Sequence, residues 1–288
     1  MRMQHTHLIA VDLDGTLLAD RRSILPRTAS ALTVARRQGH RVVIATGRPP
    51  RSALPSHEAL GLDGPIVTMN GAYVFFPADR TALAQCPIPR RIAEQVVARA
   101  RDFALTSLLL ELGQDLHVAH RDTSLDCATA TQWIPFELQD ASGLHELVCD
   151  VDAPLPNTAP LAMLLCVPRQ YHAALTDALL SDFGQAVCAR AWREPHEVIE
   201  VTPVGVTKAT ALAHVAAHYG IDRQHVIAFG DEMNDREMLA WAGTGVAMGD
   251  GNPEVKACAD VITGPSTEDG IAQFLEAHLL QNSLFTTP

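Results

Sequence analysis

Nothing in this sequence is apolar for long enough to suit a membrane. No run approaches the ~20 apolar residues that a spanning helix requires. The opening stretch, Met1-Arg2-Met3-Gln4-His5-Thr6-His7, lacks the apolar segment of a secretory signal. A soluble, cytoplasmic protein is the expectation. Basic charge is also scarce: 22 Lys and Arg stand against 33 Asp and Glu, a formal net charge of −11. A surface of that sign repels polyphosphate backbones and excludes nucleic acid as a general partner, although a locally cationic site can still hold a small phosphorylated metabolite. The six cysteines (Cys86, Cys127, Cys149, Cys166, Cys188 and Cys258) include no C-x-x-C pair. That excludes a metal knuckle and points to small buried apolar side chains in a reducing compartment. The thirteen histidines contain no H-E-x-x-H and read as surface or packing residues. Internal repeats and low-complexity segments are missing as well.

What is present is a strand and helix rhythm over 288 residues, 47% of them hydrophobic, enough for two domains with buried cores. Leu8 to Leu13 is a short apolar run of the kind buried on both faces of a parallel sheet. A helical pattern starts near Pro26, which suits a first turn, and stops near Gly39. Arg41 to Ala45 and Ile66 to Thr68 read as the next two strands, the latter running into the turn signal Asn70-Gly71. Strand, helix, strand, helix, strand predicts a parallel sheet with right-handed crossovers. The rhythm breaks between about 85 and 195, where a helix over 88–103, a hairpin about Gly113-Gln114, and a strand, helix and strand between 162 and 192 suggest an α+β unit. Residues 121–160 show too little periodicity to assign. The βα rhythm then resumes, with Val198 to Val201, a helix over 206–219, His225 to Phe229, a short helix over 235–242, Gly245 to Met248, Asp260 to Ile262 and a last helix over 267–280. The segment Gly243 to Gly249 lacks the spacing of a dinucleotide loop and reads as a strand with turn glycines. The expectation is an α/β fold: a doubly wound, Rossmann-like parallel-sheet core formed by 1–84 and 196–288, with an inserted α+β cap over 85–195.

The residues at the strand ends suggest chemistry, because ligands of such sheets sit beyond the carboxyl ends of the strands. Asp12 and Asp14 follow the first strand, Thr46 the second, and Asp231 a later one, with Asp235 four residues on. Several carboxylates at one point repel each other unless a cation neutralises them, and an all-oxygen set favours Mg²⁺ over zinc. Asp12 is placed to attack phosphorus and form an aspartyl phosphate, and Asp14, two positions on, to act as acid and then base. Gly15 allows a tight turn beside the phosphate. Thr46, Gly47, Lys208 and Asn234 offer donors to the phosphoryl oxygens.

Four segments in order, Asp12-Leu13-Asp14-Gly15-Thr16, Thr46-Gly47-Arg48, Lys208 and Gly230-Asp231-Glu232-Met233-Asn234-Asp235, resemble the motifs of the haloacid dehalogenase superfamily phosphatases. The match is to the Cof-like subgroup with its class IIB cap, and it covers residues 8–80 and 196–275. The resemblance implies that Asp12 is nucleophile and metal ligand, that Asp14 ligates through its backbone carbonyl, that Asp231 is a direct Mg²⁺ ligand and that Asp235 holds metal-bound waters. It implies phosphate binding by Thr46, Gly47, Lys208 and Asn234. Sugar phosphates and the pyrimidine pyrophosphate precursor of thiamin become candidate substrates. Arg48 reads equally as a substrate contact and as a solvated arginine beside Pro49. His117, Trp192 and Arg193 in the cap read as structural or surface residues before site residues. A phosphomutase and a receiver-like phosphoacceptor without turnover are the alternatives. Monomer and homodimer both remain open.

Overall fold

The structure is a computed structural model that describes residues 5–20, 22–122, 148–192 and 197–280. Among these, the chain forms two compact units. One holds the chain up to Gly47, Ala53–Ala84 and the chain from Thr207; the other holds Arg48–Ser52 and Gln85–Val206.

The first unit opens with β1 (Leu8–Val11), buried throughout. Helix α1 (Pro26–Arg37) follows, with proline in its first turn and Arg36 and Arg37 in its last, where their charge suits the helix dipole. Then come β2 (Arg41–Ile44), α2 (Pro50–Ala59), β3 (Ile66–Thr68), β4 (Tyr73–Phe75) and β5 (Ala82–Gln85). The intervening chain supplies α3 (Arg90–Arg101), β6 (Ser107–Glu111), β7 (Leu116–His120), β8 (Val148–Cys149), β9 (Ala162–Cys166), α4 (His172–Phe183), β10 (Val187–Ala191) and β11 (Val198–Pro203). The first unit resumes with α5 (Lys208–Tyr219), β12 (Val226–Gly230), α6 (Arg236–Trp241), β13 (Thr244–Ala247), α7 (Pro253–Cys258), β14 (Val261–Ile262) and α8 (Gly270–His278).

Five strands make a parallel sheet in the order β14-β13-β12-β1-β2. The runs are apolar on both faces, as in sheets covered on two sides; Leu8, Ala10, Val43, Val226 and Ala228 pack with Leu212, Val215 and Leu239 from the helices. The expected third strand, Ile66–Thr68, meets β2 only through the parallel bridge Ala45–Val67. Its main pairing is antiparallel to β4, in a separate sheet β3-β4-β5.

The second unit carries a six-stranded sheet, β10-β11-β9-β6-β7-β8. The hairpin about Gly113-Gln114 is present as β6 and β7. One face packs on α3 and α4 through Val96, Val97, Leu108, Leu165, Leu175 and Leu179. Val198–Val201, assigned to the returning core by rhythm, belongs here: β11 pairs antiparallel with β9 and β10. A buried apolar run carries no record of which edge it will join, so periodicity could not separate the two sheets. The expectation of buried cysteines also needs correction. Cys166 is buried in β9, but Cys86 and Cys188 are exposed, Cys188 on the edge strand of its sheet. His214 and His218 stand one turn apart on α5, yet no histidine group of three gathers ligand atoms among the described residues. No helix among the described residues is long and apolar enough to cross a membrane. Most of the stretch 121–160 that resisted assignment, and Arg193, lie outside the described residues.

Candidate active site

Register places the first and fourth motifs side by side. β1 and β12 run parallel with Val11 opposite Phe229, so both strands end at the same level. The Asp12 amide donates to the Phe229 carbonyl at 3.1 Å. Asp12 and Asp231 therefore leave adjacent strands at their carboxyl ends. Asp12, Asp231 and Asp235 each turn a carboxylate oxygen inward, all within 4.8 Å of one another. Their burial is nearly complete, with Asp12 5%, Asp231 9% and Asp235 0% exposed.

Among the described residues, one ammonium serves this cluster. Lys208, itself 0% exposed, is the first residue of α5 and donates to Asp12 Oδ1 at 2.5 Å and to Asp235 Oδ1 at 2.6 Å. Burial alone would lower the lysine's pKa, but Asp12 and Asp235 overcome that and hold it above its ordinary value. Asp235 is held on both oxygens, since its Oδ2 accepts from the Asp231 and Glu232 amides at 3.0 and 3.1 Å. Asp12 is pushed well above the usual carboxylate range, by burial first and then by Asp235, against the opposing pull of Lys208. Asp231 is pushed up to about 7 by burial, with Asp235 adding repulsion and the Thr16 hydroxyl opposing it. That hydroxyl donates to Asp231 Oδ1 at 2.7 Å.

Backbone form follows from what must pass nearby. Gly15 has φ +82, and a β-carbon there would overlap the Asp231 carboxylate, so glycine serves two needs in the Asp12-to-Leu18 turn. That turn is tied by Leu17 N–H to Asp12 O at 3.1 Å and Leu18 N–H to Leu13 O at 2.8 Å. Asp14 is half-buried in the same turn; its carboxylate stands outside the group of three. Thr46 is 1% exposed and follows β2, with its amide donating to the Val67 carbonyl at 3.0 Å. Asn234 donates through Nδ2 to Asn70 Oδ1 at 2.9 Å. A β-carbon on Gly47 would lie 3.1 Å from that same Oδ1. The core thus brings Asp12, Asp231, Asp235 and Lys208 together and sets Gly47 and Asn234 on either side of Asn70. Arg48 belongs to the second unit, where its Nη1 reaches the Ser52 carbonyl at 3.4 Å. In that unit His117 is half-buried in β7, and Trp192 donates to Glu200 at 3.3 Å.

Sequence reasoning missed Thr16, Thr207 and Asn70. Thr207 is the N-cap of α5, accepting from the Thr210 amide at 3.2 Å. A threonine before a helical run was a readable cap signal. Asn70 was read only as a turn residue, and its second role depends on a partner 164 residues away.

The donor set suits a divalent cation. Three carboxylates against one ammonium leave two negative charges when all are ionised, and the raised Asp12 and Asp231 show what their burial costs without a counter-ion. The ligands are hard oxygens of the kind Mg²⁺ and Ca²⁺ take.

The haloacid dehalogenase-like hydrolase family matches residues 9–275, from the first strand to the last helix. The chain belongs to that family. It is 34% identical over 274 residues to a 5-amino-6-(5-phospho-D-ribitylamino)uracil phosphatase of Bacillus subtilis, spanning 94% of this chain and 97% of that one. It is 32% identical to a pyridoxal phosphate phosphatase of Escherichia coli, over 96% and 99% of the two chains. Among solved structures, a haloacid dehalogenase-like hydrolase from Bacteroides thetaiotaomicron superposes with a TM-score of 0.78 at 28% identity, covering 95% of this chain and 99% of that one. The family and the fold class expected from the four motifs are borne out. The chain is an enzyme of a hydrolase family, and these two relatives of nearly equal length are phosphatases.

Proposed function

We propose that this hydrolase cleaves small phosphate monoesters through an aspartyl phosphate on Asp12, with Mg²⁺ as its metal. The observation that carries the reading is the buried group of Asp12, Asp231 and Asp235 with Lys208 as its cationic partner. Asp12, the backbone carbonyl of Asp14 and Asp231 would hold the ion, and Asp235 would order its waters. When bound, Mg²⁺ neutralises the carboxylates and the phosphoryl oxygens and keeps Asp12 ionised at neutral pH.

The residues of the chain divide the remaining work. Lys208 pins Asp12 Oδ1 and so fixes the orientation of the attacking carboxylate. An Asp12 oxygen forms a bond to phosphorus as the ester P–O bond breaks, and Asp14 gives its proton to the leaving oxygen. Water then attacks phosphorus, its proton passes to Asp14, and the bond to Asp12 breaks to release inorganic phosphate. Thr46, the Gly47 amide and Asn234 donate to the oxygens that gain charge.

The two relatives act on phosphate esters that carry a heteroaromatic ring. Pyridoxal phosphate and the phosphoribitylamino uracil therefore head the substrate panel, followed by sugar phosphates and the pyrimidine pyrophosphate precursor of thiamin. Phosphate release with Mg²⁺, and its loss in EDTA, is the expected result. No release from any member of the panel would sink the reading. Asp12→Asn should abolish turnover with an unchanged circular dichroism spectrum. Asp14→Ala should slow it about 10²–10⁴-fold, the scale of general acid–base catalysis; a near-native rate would remove Asp14 from that role.

A further inference from the structure

The structure assigns to Asn70 a positioning role: its carboxamide orients the Asn234 amide for phosphate, from a turn held in left-handed conformation by the neighbouring motifs. The assignment rests on the phosphatase reading, because that reading makes Asn234 a phosphate donor.

Three consecutive residues carry positive φ: Met69 at 50°, Asn70 at 54° and Gly71 at 105°. Glycine adopts this region freely and asparagine tolerates it, but methionine does so only where its surroundings insist. Such backbone clusters where a structure needs one geometry. A tight two-residue Asn-Gly hairpin would join β3 and β4 without involving Met69, so the longer turn serves something besides chain reversal.

Its contacts show what that is. The Asn70 amide donates to the Thr46 carbonyl at 3.0 Å, which ties the turn to the second motif. Gly71 lies so close to the Thr207 carbonyl that a β-carbon would overlap it, which sets the turn against the residue capping the Lys208 helix. Met69 is 3% exposed and anchors the turn in the core. With the backbone held on these sides, the Asn70 side chain lies between two others. Its Oδ1 accepts from Asn234 Nδ2 at 2.9 Å, and its Oδ1 and Nδ2 lie 3.1 and 3.3 Å from where a β-carbon on Gly47 would be. An amide plane is rigid. Once one Asn234 N–H is committed to Asn70, the direction of the second N–H and of the carbonyl is set as well. The second motif, the Lys208 helix and the fourth motif thus share one turn as a spacer, and Asn70 is where it reaches Asn234.

The test is a double-mutant cycle read as binding of inorganic phosphate by calorimetry with Mg²⁺ present. Asn70→Gly removes the carboxamide and keeps a residue that takes φ 54 without strain. It should fold with a near-native melting temperature and weaken phosphate binding about three- to tenfold, the usual effect of one lost hydrogen bond. In an Asn234→Ala background the same substitution should add almost nothing, since coupled residues are not additive. Steady-state turnover of Asn70→Gly should show the loss in KM more than in kcat. Unchanged phosphate binding in Asn70→Gly overturns the assignment. So does an equal loss in the Asn234→Ala background, or failure to fold, because either makes the side chain merely structural. The binding cycle needs no turnover, so a wild-type enzyme inert toward every ester would count against the phosphatase reading and not against the link from Asn70 to Asn234.

Discussion

Asp231 shows at the scale of one residue how function opposes stability. It is nearly buried, has two carboxylates as neighbours, and is pushed up to about 7 chiefly by that burial. A cation can bind only after the proton leaves. Mg²⁺ affinity should therefore rise as pH passes upward through about 7, with protons released on binding. Calorimetry in two buffers of different ionisation enthalpy would detect the release, and an affinity independent of pH between 6 and 8 would contradict it. Replacing the charge should help the fold. Asp231→Asn keeps an oxygen for the Thr16 hydroxyl and should raise stability in EDTA by about 0.5–2 kcal/mol. Mg²⁺ should raise the melting temperature of the wild type and leave that of this variant unchanged. Thermal melts with and without Mg²⁺ check both halves. Lys208 was expected from the sequence to donate to phosphate, but its bonds to Asp12 and Asp235 were not legible there, because they span 196 and 27 residues.

At the scale of elements, the site is made by endings. β1 and β12 stop level with each other, β2 stops at the segment leading to Thr46, and α5 starts at Lys208. These endings were readable from the sequence, since each strand is an apolar run followed by aspartate, threonine or glycine. Helix α5 depends on its cap. Thr207 and Thr210 exchange side-chain to backbone hydrogen bonds, which satisfies a donor that the first turn would otherwise leave open. Thr207→Ala should cost about 1 kcal/mol of stability, measured by urea unfolding, while Thr207→Ser should cost much less. Equal stability of the two variants would show that the cap contributes nothing. β11 was misplaced although Thr202 follows its apolar run in the same way. Its apolar residues suit either sheet, and an ending does not tell which sheet a strand joins.

At the scale of the molecule, the pH response involves groups at the other end of the parallel sheet. His40, just before β2, is 3% exposed. Its Nδ1 accepts from the His7 amide at 3.0 Å, so a proton there would set donor against donor. Burial, and then His7, push its pKa down from 6.5 to about 4. The His225 ring lies beyond, 5.4 Å from that of His7. An unfolded chain takes up this proton near pH 6.5 and the folded one only near 4. The unfolded state therefore binds more protons between those values, and stability is lost as pH falls through that window. His40→Gln should flatten the decline in melting temperature over the same range. A parallel decline in both proteins would acquit His40.

Local chemistry was written in the sequence: the four motifs, the strands they terminate, the glycine in the turn after Asp12 and the break in rhythm where another unit intervenes. Each depends on residues within a few positions of one another, where sterics, alternation and capping act directly. The order of strands, the shared ammonium of Lys208, the sheet that β11 joins and the bond from Asn234 to Asn70 came only with the tertiary structure. They are pairings across tens to hundreds of residues, and a side chain does not specify a distant partner until packing has removed the other choices. Asp12 could be recognised from its neighbours in the chain; why it is a buried acid in need of a cation is clear only from its neighbours in space.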